Sequence, residues 1–216
     1  MEQRTVTTQA GDARIGFARA ERPLAVLALG HGAGGGVEAR DLQALAAALP
    51  PLGVTVALVE QPWRVAGRRV APAPRTLDLG WLPVAEQLAG EGVPLLVGGR
   101  SAGARVACRT GRSSGAAGIL ALAFPLHPPG KPEKSRAEEL TGAGLPVLVV
   151  QGLRDAFGRP EEFPRLPAGA ELVPVPDADH GFAVPKRGTV TQEEALAVVT
   201  GAVGDWALRT AAAARE

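Results

Sequence analysis

Apolar residues fall along this chain in short uninterrupted runs rather than in alternation: Leu24 to Leu29, Val54 to Val59, Val93 to Val97, Gly118 to Phe124, Val147 to Val150 and Leu172 to Val175. Runs of strand length with no polar face are what a parallel strand covered on both sides by helices requires. Between them lie stretches that suit helices. These are Val37 to Leu49, a segment that Asp78 can cap and that runs to about Gly90, the Ala- and Arg-rich Ala102 to Arg109, and Thr191 to Ala213. The last has Thr191 as its N-cap, with Glu193 and Glu194 in the first turn. Ahead of the first run, Thr5 to Thr8 and Arg14 to Ala18 read as two short strands around Gly11-Asp12, pairing antiparallel at a sheet edge. The alternation of strand and helix predicts a mostly parallel α/β sheet with right-handed crossovers. Two stretches fit neither period: the Pro- and Arg-rich Gln61 to Thr76, and Pro125 to Lys134 (PLHPPGKPEK). Both follow strands and are expected as loops over the same sheet edge.

The sharpest local pattern is Gly99-Arg100-Ser101-Ala102-Gly103, set between an apolar strand and a helix. So abrupt a turn strains its central residue and brings two backbones close together, which accounts for glycine on either side of Ser101. This nucleophile-elbow pattern presents Ser101 Oγ at the C-terminal edge of the sheet. A serine hydroxyl is a poor nucleophile near neutral pH, so it needs a general base, and the base needs an acceptor to fix its tautomer. His180 follows the last predicted strand and Asp155 the one before it. All three residues then stand at C-terminal strand ends, where parallel sheets place their sites, in the order Ser, Asp, His. Asp177 or Asp179 could orient the base instead, although residues so near His180 in sequence rarely reach Nδ1 with the ring aimed at Ser101. The developing oxyanion would be received by the backbone N–H of Ala102 and by that of Ala33 in the turn Gly30 to Gly36.

That turn has a rival reading. Gly30, Gly32 and Gly35 spell G-x-G-x-x-G after a strand, with Glu60 at the end of the next strand to hold a ribose. The two strands before it, and His31 inside it, weigh against a dinucleotide site. A metal reading of Asp177-Ala178-Asp179-His180 lacks further histidine or cysteine ligands.

Composition narrows the class further. At 216 residues and 46% hydrophobic content, the chain (1–216) is most simply one domain with one sizeable core. A net charge of +1 gives no reason to expect a nucleic-acid partner. No apolar segment long enough for a membrane span occurs, and no signal-peptide core, so a cytoplasmic location is the expectation. Cys108, the single cysteine, is expected as a small core residue.

Taken together, HGAGGG (31–36), WRVAGRRVAPAP (63–74), GGRSAGARVA (98–107), FPLHPPGKPEK (124–134), QGLRDAFG (151–158) and DADHGF (177–182) resemble the small α/β-hydrolases related to dienelactone hydrolases. The similarity extends to a subgroup with chromatin-complex and testis-expressed members. It implies an α/β-hydrolase fold without a large cap domain, no cofactor, and Ser101, Asp155 and His180 as nucleophile, acid and base. A serine nucleophile departs from the dienelactone hydrolases proper, so lactone chemistry is not inherited. The resulting expectation is a serine hydrolase acting on a small-molecule ester, thioester or related acyl substrate. The alternative is a catalytically idle scaffold that binds a partner. Arg64, Arg68, Arg69 and His127 on the two irregular loops, with Arg100 beside the nucleophile, are candidates to hold an anionic substrate. The competing reading makes them ties that fasten the loops.

Overall fold

The structure, a computed structural model, describes residues 2–215. The leading strands β1 (Glu2–Thr8) and β2 (Gly11–Ala18) pair antiparallel, with Thr8 opposite Gly11. The apolar runs become β3 (Ala25–Gly30), β4 (Val54–Glu60), β5 (Leu95–Arg100), β6 (Gly118–Leu122), β7 (Val147–Gly152) and β8 (Ala170–Val175). Together they form an eight-stranded sheet in the order β1-β2-β4-β3-β5-β6-β7-β8, parallel from β4 to β8. The hairpin lies at the edge, as its turn signal predicts. This is the α/β-hydrolase fold.

Six helices are described: α1 (Arg40–Ala48), α2 (Pro62–Val65), α3 (Pro74–Ala89), α4 (Ala102–Thr110), α5 (Ala137–Thr141) and α6 (Gln192–Ala213). Successive strand residues point to opposite faces, so Val26 and Ala28 pack with α3 and α4 in one core layer, whereas Leu27 and Leu29 pack with α1 and α6 in the other. Burial on both faces is why these strands carry no polar alternation. Truncating a leucine such as Leu27 or Leu120, both fully buried, to alanine would cost about 2–5 kcal/mol.

Several boundaries differ from those the sequence predicts; β1 begins at Glu2 rather than Thr5, and β2 at Gly11 rather than Arg14. Helix α3 starts at Pro74, a residue whose missing N–H and fixed φ suit the first helical turn, so Asp78 lies inside the helix rather than capping it. There its carboxylate accepts two hydrogen bonds from Arg109, at 2.6 and 3.0 Å. The stretch expected as a loop from Gln61 therefore contains both α2 and the start of α3. Helix α1 begins at Arg40, because residues 37–39 form a turn, instead of at Val37. By contrast, Thr191 does cap α6: its hydroxyl accepts from the Glu194 N–H at 3.1 Å, and the Glu194 carboxylate accepts from the Thr191 N–H at 2.7 Å.

The strand order reverses between β3 and β5, which are neighbours in the sheet although β4 separates them in sequence. A crevice opens outside the strand ends at such a point. Here it lies between the glycine-rich turn after β3 and the Ser101 turn after β5.

Candidate active site

Ser101 joins β5 to α4 with φ 52° and ψ −111°, a backbone conformation that a side-chain-bearing residue adopts only under constraint. The constraint comes from both neighbours. The Ser101 N–H donates to the Leu122 carbonyl at 2.9 Å, and its carbonyl accepts from the Arg105 N–H at 3.2 Å. Close approach to β3 is the other requirement: a Cβ on Gly99 or Gly103 would overlap the Gly30 carbonyl. The glycines of the elbow are thus fixed by the strand beside it.

His180 Nε2 lies 3.0 Å from Ser101 Oγ, and His180 Nδ1 lies 3.0 and 2.8 Å from the two carboxylate oxygens of Asp155. This network assigns the imidazole proton to Nδ1 and leaves Nε2 to accept from the serine hydroxyl. Asp155 is 1% exposed. Its carboxylate also accepts from the Phe157 N–H at 2.8 Å and from Gln151 Nε2 at 2.9 Å. Gln151, buried at the end of β7, donates as well to the carbonyls of Phe124 and Gly158, which ties the Asp155 turn to the end of β6. The Phe157 ring stacks on His180 with centroids 4.2 Å apart. Asp177 and Asp179 do not reach the imidazole. Asp177 accepts from Thr189, and Asp179 Oδ1 accepts from the N–H groups of Gly181 and Ala183, at 2.8 and 2.9 Å, shaping the turn that carries His180.

Arg100 holds that turn from the other side. Its Nη2 donates to the His180 carbonyl at 2.7 Å and its Nε to Asp41 at 3.1 Å. Asp41 is completely buried; desolvation pushes its carboxyl above the ordinary value, and the Arg100 charge opposes that rise. Arg100 thus ties α1, the elbow and the His180 turn together.

The glycine-rich turn is fastened by His31, which is 3% exposed. Its Nδ1 lies 2.9 Å from the Gly32 carbonyl, and its Nε2 accepts from the Gln61 N–H at 3.1 Å. Burial lowers its pKa, which keeps the ring neutral and Nε2 free to accept. The turn meets the Ser101 elbow at a cavity of about 500 Å³, lined among others by Ala33, Ser101, Ala102 and His180. The Ala102 N–H stands at the first position of α4, where no intrahelical acceptor exists.

The structure redistributes the cationic candidates. Arg100 lines this cavity, but Arg64, Arg68, Arg69 and His127 do not. Arg64 pairs with Glu38 at 3.6 Å, and Arg68 lines a separate cavity of about 340 Å³ beside Pro62 and the β1–β2 turn. Arg69 is exposed. His127 Nε2 meets Glu162 at 3.0 Å and its Nδ1 the Pro128 carbonyl at 3.0 Å, so it fastens its own loop. Of the five cationic candidates Arg100 alone lines the Ser101 cavity; Arg64 lies on α2, and Arg68 and Arg69 on the turn after it. Two arginines that the sequence reading passed over, Arg105 and Arg136, line the Ser101 cavity. Arg105 was legible as the residue one helical turn after Ser101. Gln151 was legible as a polar residue closing an apolar run. Asp41 and Arg136 carried no local signal. Cys108 is buried, and desolvation pushes its thiol up to about 12, which leaves it inert at neutral pH.

A family model described as alpha/beta hydrolase domain matches residues 23–207, and the chain belongs to that family. No curated protein matches the sequence significantly. Among solved structures, the chain is similar to a lidless α/β serine hydrolase from Xanthomonas campestris, at 19% identity and a TM-score of 0.73, covering 95% of this chain and 94% of that one. It is similar to Est1E from Butyrivibrio proteoclasticus with ferulic acid bound, at 15% identity and a TM-score of 0.74, covering 97% and 99%. A dienelactone hydrolase from Anabaena variabilis superposes with a TM-score of 0.73 at 16% identity, covering 96% and 97%. At these identities the likeness establishes the common fold.

Proposed function

We propose that the protein is a serine hydrolase that cleaves a small ester or thioester through an acyl-enzyme on Ser101. The observation that carries this reading is the continuous chain of hydrogen bonds from Asp155 through His180 to Ser101 Oγ, ending at an open cavity. In the first half-reaction Ser101 Oγ attacks the acyl carbon while its proton passes to His180 Nε2. Asp155 stabilises the resulting imidazolium through Nδ1–H. The N–H groups of Ala102 and Ala33 receive the oxyanion, and His180 then returns the proton to the departing alcohol or thiol. In the second half-reaction water attacks the acyl carbon, giving a proton to Nε2. The acid leaves as Ser101 Oγ recovers that proton. Every step uses groups of the chain, with no cofactor. A thermophilic esterase from Thermogutta terrifontis, among the similar structures, supports an ester as the first substrate class to try, and the relation to the chromatin-complex and testis-expressed subgroup belongs to the same proposal.

A fluorophosphonate probe tests the reading directly. It is expected to form one adduct, at Ser101, which disappears in Ser101→Ala. Absence of an adduct in folded protein would overturn the hydrolase reading in favour of a binding scaffold.

A further inference from the structure

The arginines around the Ser101 cavity are not equivalent. Arg100, Arg105 and Arg136 all line it, and no aspartate or glutamate does. Arg100 is matched by Asp41. Arg105 is matched by Glu139, which accepts from its Nε and Nη2 at 2.7 Å each and takes a further bond from Arg109 at 3.3 Å. Arg109 is in turn matched by Asp78.

Arg136 has no such partner: among the described residues no carboxylate lies within salt-bridge distance of it. Its Nη1 donates to the Pro125 carbonyl at 3.1 Å and its backbone N–H to the Leu126 carbonyl at 2.7 Å. These contacts fix the guanidinium beside Pro125 on the cavity wall and leave most of its five N–H donors unspent. The side chain is half-buried; desolvation and then the neighbouring charge of Arg105 push its pKa down, and the charge of Glu139 opposes them. The wall formed by Arg105, Arg109, Arg136, Glu139 and Asp78 thus holds one positive charge in excess, at an anchored site that faces the nucleophile's cavity.

We infer that Arg136 is a substrate-binding residue that receives a carboxylate, so that the substrate is an anionic acyl compound such as the half-ester of a dicarboxylic acid. The inference rests on the hydrolase reading for the word substrate, but the carboxylate site stands on its own. A single excess charge matches a monoanion, and a planar guanidinium with free N–H groups can grip both carboxylate oxygens. Arg105 is already held by Glu139 through Nε and Nη2, so its charge is matched where that of Arg136 is not.

The experiment compares 4-nitrophenyl hemiglutarate with neutral 4-nitrophenyl hexanoate on wild type, Arg136→Met and Arg136→Lys, and measures glutarate binding to the same set in a Ser101→Ala background by calorimetry. Arg136→Met is expected to lower kcat/KM for the hemiglutarate about 10- to 100-fold, the loss typical of a charge-assisted hydrogen-bonded pair, with the neutral ester little changed. Glutarate affinity should fall by a similar factor and recover in part with lysine. Equal losses on both esters with an unchanged melting temperature, or glutarate binding that is absent from the parent or unaffected by Arg136→Met, would overturn the inference. Should Arg136→Met melt early, Arg136→Lys decides, because it keeps the charge and loses the two-pronged grip. Failure of the hydrolase reading looks different: neither ester turns over and no fluorophosphonate adduct forms, while glutarate binding still reports on Arg136.

Discussion

The two walls of the Ser101 cavity are built on opposite plans. On one, Ser101, Asp155 and His180 stand at or just beyond the ends of β5, β7 and β8, and every polar contact among them is closed. On the other, arginines from α4 and from the segment before α5 meet carboxylates drawn from distant parts of the chain, and one guanidinium is left over. Register in a parallel sheet places the first group automatically. The second depends on which segments fold back over the edge, and here the contrast between the two irregular stretches is instructive. Gln61 to Thr76 bears four arginines and brings none to the cavity, because α2 and α3 form within it. The segment from Pro125 brings Arg136, because backbone and side-chain bonds to Pro125 and Leu126 clamp its far end to its start.

The largest effect that would break this contrast lies on the closed wall. Ser101→Ala and His180→Ala should each lower kcat about 10⁴-fold or more, and the double variant should be little worse than either, since the residues act as a unit. Losses that multiply would show that the hydrogen-bonded chain does not work as one device. Asp177→Ala and Asp179→Ala should retain most activity. If Asp179→Ala proves as inactive as Asp155→Ala while Asp179→Asn, which keeps the Oδ1 acceptor of the His180 turn, is inactive too, the acid is misassigned.

Next in size is the tie between the walls. Arg100→Met leaves Asp41 buried without its counter-charge and should cost about 3–5 kcal/mol in urea denaturation. Adding Asp41→Asn should recover part of that loss, and an unchanged unfolding midpoint in the single variant would remove Arg100 from the scaffold.

A smaller effect separates two histidines by sign. His31 has its pKa lowered by burial, so its contribution is present above about pH 6.5 and lost as the pH falls through the folded value. His127 has its pKa raised, chiefly by the Pro128 carbonyl and then by Glu162. Its contribution is present below about pH 6.5 and lost as the pH rises through the folded value. Between pH 5 and 7.5, His31→Gln should therefore weaken the fall of stability on the acid side and His127→Gln should steepen it. Parallel shifts in both variants would contradict the assignment. The smallest effect belongs to the open loop: Arg68→Met and Arg69→Met should change neither kcat/KM for the anionic ester nor stability by more than about 0.5 kcal/mol. A clear loss of activity in either would return that loop to the site.

How much of this was legible beforehand follows from how far each residue's surroundings reach along the chain. The apolar runs, the elbow glycines and the strand-end positions of Ser101, Asp155 and His180 are determined by the sequence itself. A strand buried on both faces has to be apolar, and a strained turn against β3 has to have glycine beside it. Asp78, by contrast, looked like a helix cap because local spacing allows it, and only the packing of α3 against α4 reveals it as Arg109's partner. The cationic wall was the least visible part. Whether an arginine faces a cavity, meets a carboxylate or stays unpaired is settled by contacts dozens of residues apart in sequence, such as Arg100 with Asp41 and Arg105 with Glu139. Periodicity and spacing carry backbone geometry, but charge pairing across a fold belongs to the tertiary structure, because solvated arginines in the unfolded chain have no preferred partner.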